Sequence, residues 1–214
     1  MPSPIGHAMA GLAVAWFADL LPSRYRLNRA LKSEPFRTPI GGLAIACGIL
    51  AAVPDADLLL RHCHRMWTHS IGFSIATGSV AAFIARRKRL PAVPVAVICG
   101  IASATHVLMD WLGKDTRPPY GIMALWPFTS RFYISGVDLF LELSRRYHLP
   151  HEFILGNLIS VAAEIVVMAP ILALAWWLRV RHLEQFREKA IGRGLTASLE
   201  TRSETETRIG RRHR

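Results

Sequence analysis

The chain has little of what marks a secreted, nucleotide-using or nucleic-acid-binding protein. Its three cysteines, Cys47, Cys63 and Cys99, cannot all pair, and two fall inside apolar runs, so a disulfide-knit scaffold is excluded and no redox compartment follows. No G-x-x-x-x-G-K-S/T, dinucleotide fingerprint or G-x-S-x-G is present to suggest nucleotide use or a serine nucleophile, and the absence of H-E-x-x-H counts against an intramembrane protease. No internal repeat is evident. With 214 residues there is no room for two large catalytic domains. Acidic residues are few, 15 against 26 Lys and Arg. Excess positive charge could mean nucleic acid, but no aromatic residue interleaves with the arginines of the C-terminal tail. Anionic lipid heads are the more economical partner, and nucleic acid is not expected.

What is present is apolar sequence in long runs. At 1.5 Å per helical residue, about 30 Å of hydrocarbon needs about 20 residues, and five runs qualify or nearly so: residues 5–21, 39–60, 68–85, 91–112 and 153–178. The expected fold is an all-α polytopic membrane bundle of about five transmembrane helices. Leu125-Trp126-Pro127-Phe128 followed by apolar residues at helical spacing over 132–147 predicts a further helix at the membrane surface. Membrane-embedded residues 1–178 would form one domain. Residues 179–214 would form a basic cytoplasmic tail, largely disordered after Gly192 because it lacks periodic apolar residues.

Lys and Arg are retained on the cytoplasmic side. Arg24, Arg26, Arg29, Lys32 and Arg37 face only Glu34, Arg86-Arg87-Lys88-Arg89 has no acid, and the tail has ten Lys or Arg against five Glu. Five crossings place all three patches on one side. The N-terminus, the short connection at 61–67 and the long one at 113–152 then lie outside. The basic cluster follows the first apolar run instead of preceding it, so an uncleaved span is preferred to a signal peptide.

Ionisable groups inside such runs need a partner, water or a metal. They are His7, Asp55 and Asp57 in Pro54-Asp55-Ala56-Asp57, His64 and His69 around Thr68, and His106 and Asp110 in His106-Val107-Leu108-Met109-Asp110. Imidazole and carboxylate are the ligands of zinc and similar divalent ions. Counted from the cytoplasmic ends of their runs, Asp55 and Asp57 lie about 24 to 27 Å along, and His106 and Asp110 about 22 and 28 Å along. His7 and His69 open runs that begin outside. All seven fall in one outer layer roughly 10 Å deep, where independent polar accidents would scatter to both faces. His106 and Asp110, four apart, share a helix face. Asp55 and Asp57 converge only if the helix ends or turns there. Each residue alone is better read as a packing His or a capping Asp, and only the set favours a metal. His62 and Cys63 read as solvated loop, His148 and His151 as surface, and Asp19 as cytoplasmic interface. Glu164 lies in the fifth run well below the cluster, as a proton relay or the partner of a buried polar group.

Gly6-His7, Pro54-Asp55-Ala56-Asp57, His64-Arg65 leading to Thr68-His69-Ser70, His106-Val107-Leu108-Met109-Asp110, and Gly121 through Leu125-Trp126-Pro127-Phe128 together resemble the LexA-regulated, inner-membrane-associated metal-dependent hydrolases. The likeness covers about residues 5–130, with Met66 where such proteins often have Gly. It implies a bacterial inner-membrane protein with hydrolase activity on a substrate the motifs do not name, and lends functional weight to all seven residues. On this reading His69, His106 and Asp110 are core ligands of one or two divalent ions, zinc before manganese, with His7 and Asp55 next. Asp57 is a bridging ligand or general base, and His64 a ligand or the acid for a leaving group. Trp126 and Phe128 would shape the entrance, and Arg65 or Arg131 would hold an anionic head group of a lipid or phosphoester substrate. A transporter or channel would need polar groups through the inner half of the membrane, where only Glu164 is evident. A non-catalytic metal-binding scaffold would close its ion off completely.

Overall fold

The computed structural model describes residues 1–21, 41–59, 64–144 and 148–212. Helix α1 (Pro4–Ala18) starts at Ser3, whose hydroxyl accepts the Gly6 amide, with Pro4 in the first turn where a missing N–H is harmless. Helix α2 (Gly42–Ala52) stops before Pro54, which cannot continue the hydrogen-bond ladder, and the chain tightens into a 3-10 turn, Val53–Leu59. A second 3-10 turn, Trp67–His69, leads into α3 (Ile71–Arg87), capped by the Ser70 hydroxyl on the Phe73 amide. Helices α4 (Ala92–Trp111) and α5 (Pro150–Arg212) complete the set.

All five apolar runs are thus helical in their described parts, and no strand occurs among the described residues. The expected all-α class is what the structure has. Two stretches, α4 with a mean hydropathy of 1.9 and Pro150–Gln185 of α5 with 2.4, are long and apolar enough to cross a membrane, while α1 is apolar but shorter. Helix α1 is central, packing on α2, α4 and α5, and α3 packs along α4. Small residues make this possible. A Cβ on Gly11 would stand 2.2 Å from the Cys47 carbonyl oxygen, and one on Gly78 would stand 2.8 Å from that of Ala96, so α1–α2 and α3–α4 meet backbone to backbone. Ala15, Ala44, Cys47, Cys99 and Ala102 fill the seam. Large apolar side chains point outward instead, among them Ile75, Phe83, Val97, Leu158 and Val166. Polar inside and apolar outside is the arrangement a bilayer stabilises.

Helices α1 and α5 run parallel and are tied at both ends. At one end the Ser3 amide donates to Glu164 Oε1 at 2.7 Å and the Ser3 hydroxyl to Glu164 Oε2. At the other, Arg179 Nε lies 2.6 Å from Asp19 Oδ2, both side chains buried. Asp19, expected at an interface, is enclosed by this pair.

One expectation is corrected. Residues 132–144 form no surface helix. Their backbone groups pair with distant ones, as in the Ile122–Tyr133 bridge, Lys114 N–H to the Phe140 carbonyl and Ser135 N–H to that of Trp111. Gly136 and Asp138 take positive φ, which interrupts a helix. The backbone of α5 continues to Arg212, and no proline follows Pro170 to break it.

Candidate metal centre

The seven His and Asp residues singled out from the sequence meet in one place, carried by four separate segments. His7 comes from the first turns of α1, Asp55 and Asp57 from the 3-10 turn after α2, His64 and His69 from the turn before α3, and His106 and Asp110 from one face of α4. The break in α2 at Pro54 is what lets both aspartates face inward.

The innermost layer holds five of them. Asp110 Oδ1 lies 3.5 Å from His7 Nε2, and Asp110 Oδ2 lies 3.4 Å from His69 Nε2 and 3.1 Å from His106 Nε2. Asp55 closes the other side, with Oδ1 at 3.6 Å from His69 Nε2 and 3.8 Å from His106 Nε2, and Oδ2 at 3.8 Å from His7 Nε2. The His7 and His106 rings stack at 3.8 Å between centroids. His7, His69 and His106 are fully buried, and Asp110 almost so.

These five converge without satisfying one another. His7 Nε2, His69 Nε2, His106 Nε2, Asp55 Oδ2 and both oxygens of Asp110 are buried and make no hydrogen bond. Six such atoms in one spot would cost several kcal/mol if left so. Their spacing explains the pattern. Ligands about 2.1 Å from a zinc-like ion in a tetrahedral shell stand about 3.4 Å from each other, which is the spacing seen and longer than most hydrogen bonds. The donor set therefore fits a divalent cation. Among the described residues three overlapping groups could hold one: His7, His106 and Asp110; Asp55, His69 and His106; and Asp57, His64 and His69.

The ring orientations agree. His106 Nδ1 lies 2.7 Å from the Ala51 carbonyl oxygen, which can only accept, so Nδ1 carries the proton and Nε2 presents a lone pair inward. His69 Nδ1 lies 3.2 Å from Asp57 Oδ2, with the same consequence for its Nε2. Asp57 differs from the other two aspartates in having its oxygens engaged: Oδ1 with His64 Nδ1 at 2.6 Å, and Oδ2 with the Thr68 hydroxyl as well as His69. Thr68 and the Ala51 carbonyl are members of the site that the sequence did not reveal as such; a signal for Thr68 lay in its place beside His69.

A cavity of about 460 Å³ opens onto this cluster and reaches it at Asp55 and His64, the two members with exposed side-chain surface. Its walls include Leu58, Glu142, Asn157 and Phe153. The Met1 amine also lines it, and burial lowers that group's pKa from the ordinary value. Trp126 and Phe128, expected at the entrance, are elsewhere: the Trp126 carbonyl accepts the Gly72 amide at the start of α3, and Phe128 is exposed. Arg65 does line the cavity; its Nη1 lies 2.6 Å from Asp115 Oδ2 and also donates to the carbonyls of Arg117 and Pro119, which ties segment 115–119 to the turn that carries His64. Arg131 is exposed and does not line the cavity, and His148 and His151 lie on the surface as expected. Glu164 is not remote. Through Ser3 it stands one helical turn from His7. His62 and Cys63 lie outside the described residues.

The profile of the YdjM inner membrane protein family matches residues 1–185, and the chain belongs to that family. The match takes in the whole cluster and extends well past the 5–130 region of the sequence resemblance, through Glu164 and Arg179. No curated protein and no solved structure matches.

Proposed function

We propose that this member of the YdjM inner membrane protein family is a metal-dependent hydrolase that acts near the outer face of the membrane on a lipid or phosphoester substrate. The observation that carries the reading is the set of six buried, unpartnered ligand atoms on His7, Asp55, His69, His106 and Asp110, at coordination spacing and beside a cavity. Those five residues would hold the ion, with zinc first and manganese second by donor type. A bound ion there would acidify water and polarise a phosphoryl or carbonyl oxygen.

The chain's own groups supply the rest. His64, bonded through Nδ1 to Asp57, borders the cavity and is the proton carrier. In hydrolysis, as the water oxygen bonds to the electrophilic centre and the ester bond breaks, His64 accepts the water's proton and returns one to the departing alcohol. Asp57 positions His64 and His69 and steadies the imidazolium that forms on His64. The loop tied down by Arg65 and Asp115 limits water at the site.

We place the N-terminus outside and the C-terminus in the cytoplasm, with five crossings. Support comes from the three basic patches and from the parallel course of α1 and α5, which five crossings require. A polar path through the inner half, as a channel needs, is not supported by Glu164, since its carboxylate is engaged by Ser3.

The test is hydrolysis of phospholipid and of a soluble phosphodiester by detergent-purified protein loaded with zinc or manganese. Turnover lost in His106→Ala is expected. No turnover on any ester, with His106→Ala indistinguishable from wild type, would overturn the reading.

A further inference from the structure

The cavity beside the metal cluster is lined by both apolar and polar residues, and its position along α5 says from where it fills. Phe153 and Asn157 belong to the first two turns of α5, where its membrane-length apolar stretch begins at Pro150. Glu164, level with Ser3 at the start of α1, lies two turns further in. That apolar stretch of α5, 36 residues or about 54 Å, is longer than the hydrocarbon, so the level at which α1 begins marks the boundary: the cavity sits about two to three turns outside it, at headgroup depth, with the cluster at its inner end. Leu58, on the wall, is 45% exposed, and Ile154 and Leu158 beside the wall residues of α5 are 57% and 62% exposed. Apolar side chains on the wall and beside it thus face outward from the bundle.

The wall also carries polar groups, Glu142 among them. Segment 142–144 is bound to α5 by Ser160 donating to the Glu142 carbonyl and by the Asn157 amide pairing with the Ser144 backbone. This holds the Glu142 carboxylate on the cavity wall, where it accepts the Thr116 hydroxyl and lies 3.5 Å from Arg117 Nε. The one arginine on the wall, Arg65, is already committed to Asp115. The Met1 amine is turned to the Lys114 carbonyl, so at Glu142 a phosphate monoester would meet carboxylate, while a group bearing N–H or O–H donors would be matched.

We propose that this cavity is the headgroup pocket for a phosphodiester lipid that enters sideways from the outer leaflet past Leu58 and Phe153, and that Glu142 receives a hydroxyl- or ammonium-bearing alcohol at the end away from Asp55 and His64. The inference rests on the hydrolase reading for the fate of the lipid, but not for its binding. About 460 Å³ is in the range of small-ligand pockets and suits a headgroup, with the acyl chains left in the bilayer.

Native mass spectrometry of the full chain, released from vesicles of phosphatidylethanolamine, phosphatidylglycerol and phosphatidate in equal parts, tests it without turnover. Wild type is expected to retain one phosphatidylethanolamine or phosphatidylglycerol per chain and to disfavour phosphatidate at least tenfold. Glu142→Gln is expected to erase that selectivity, and Leu58→Asp to abolish retention. Equal retention of phosphatidate by wild type, no retained lipid, or unchanged selectivity in Glu142→Gln would overturn the proposal. Should Leu58→Asp fail to fold, the wild-type and Glu142→Gln comparison decides alone. Hydrolysis of water-soluble bis(4-nitrophenyl) phosphate, measured alongside, reports on the hydrolase reading separately: its absence sinks that reading and leaves lipid selectivity to be judged on its own.

Discussion

Asp57 bridges His64 and His69, with one carboxylate oxygen 2.6 Å from His64 Nδ1 and the other 3.2 Å from His69 Nδ1. It thereby links the innermost layer of imidazoles to the one histidine that borders the cavity. Asp57→Asn replaces an acceptor on one side by an amide donor, so one of the two rings loses its orientation. Outer-shell changes of this kind typically cost about 10–100-fold in metal affinity or activity. Activity is expected to fall by that order with protein yield unchanged; full activity in Asp57→Asn would reject its positioning role.

Metal content is the most direct measurement. Wild type purified in detergent is expected to carry near-stoichiometric divalent metal by elemental analysis, and the His69/His106 double alanine variant at least tenfold less. A chelator should lower the thermal stability of wild type, because an ion bound only by the folded chain adds its binding free energy to folding. Equal metal in both proteins would remove the basis for the site.

Gly11 offers a test that touches no ligand. Since a Cβ there would stand 2.2 Å from the Cys47 carbonyl oxygen, Gly11→Ala must push α1 and α2 apart. His7 rides on α1 and Asp55 follows α2, so the two walls of the cluster separate together. Metal retention is expected to drop severalfold, and a variant with wild-type content would show that the two helices tolerate the shift.

Topology can be read with membrane-impermeant thiol reagents on intact spheroplasts. A cysteine replacing exposed Arg131 is expected to be labelled from outside, and one replacing Lys88 only after the membrane is broken. The reverse pattern would invert the proposed orientation.

The cluster was legible in the sequence because imidazoles and carboxylates are costly inside apolar runs and so stand out one by one. Counting the rise along each run then put all seven in one layer. The same count misjudged Glu164, because it assumed that every run starts at the same plane. Helix α5 begins 14 residues before Glu164, so about 21 Å of it rises beyond the level of Ser3. The segment 132–144 misled for a different reason. Its apolar spacing suits a helix, but its backbone is satisfied by Trp111, Leu112 and Ile122, partners that no local pattern reveals. Thr68 and the Ala51 carbonyl were invisible as site members because orienting a ring requires only a hydroxyl or a backbone oxygen at the right place.

Arg179 and Asp19 form a buried pair, and the cost of removing one member of such a pair is typically about 3–5 kcal/mol. Arg179→Met is expected to lower unfolding stability in detergent by that order. The Asp19→Leu, Arg179→Met double variant should recover part of it, with a coupling above about 1 kcal/mol in the cycle. Strict additivity would mean the two charges act independently.

The double tether between α1 and α5 also bears on the order in which the protein can be completed. His7 leaves the ribosome well before Glu164 and Arg179, so its helix stays unclamped until those two have been made. A full set of ligands therefore exists in the nascent chain some fifty to seventy residues before the frame that steadies it, and release of a chain cut short before α5 would leave a loosely held, metal-hungry fragment in the membrane.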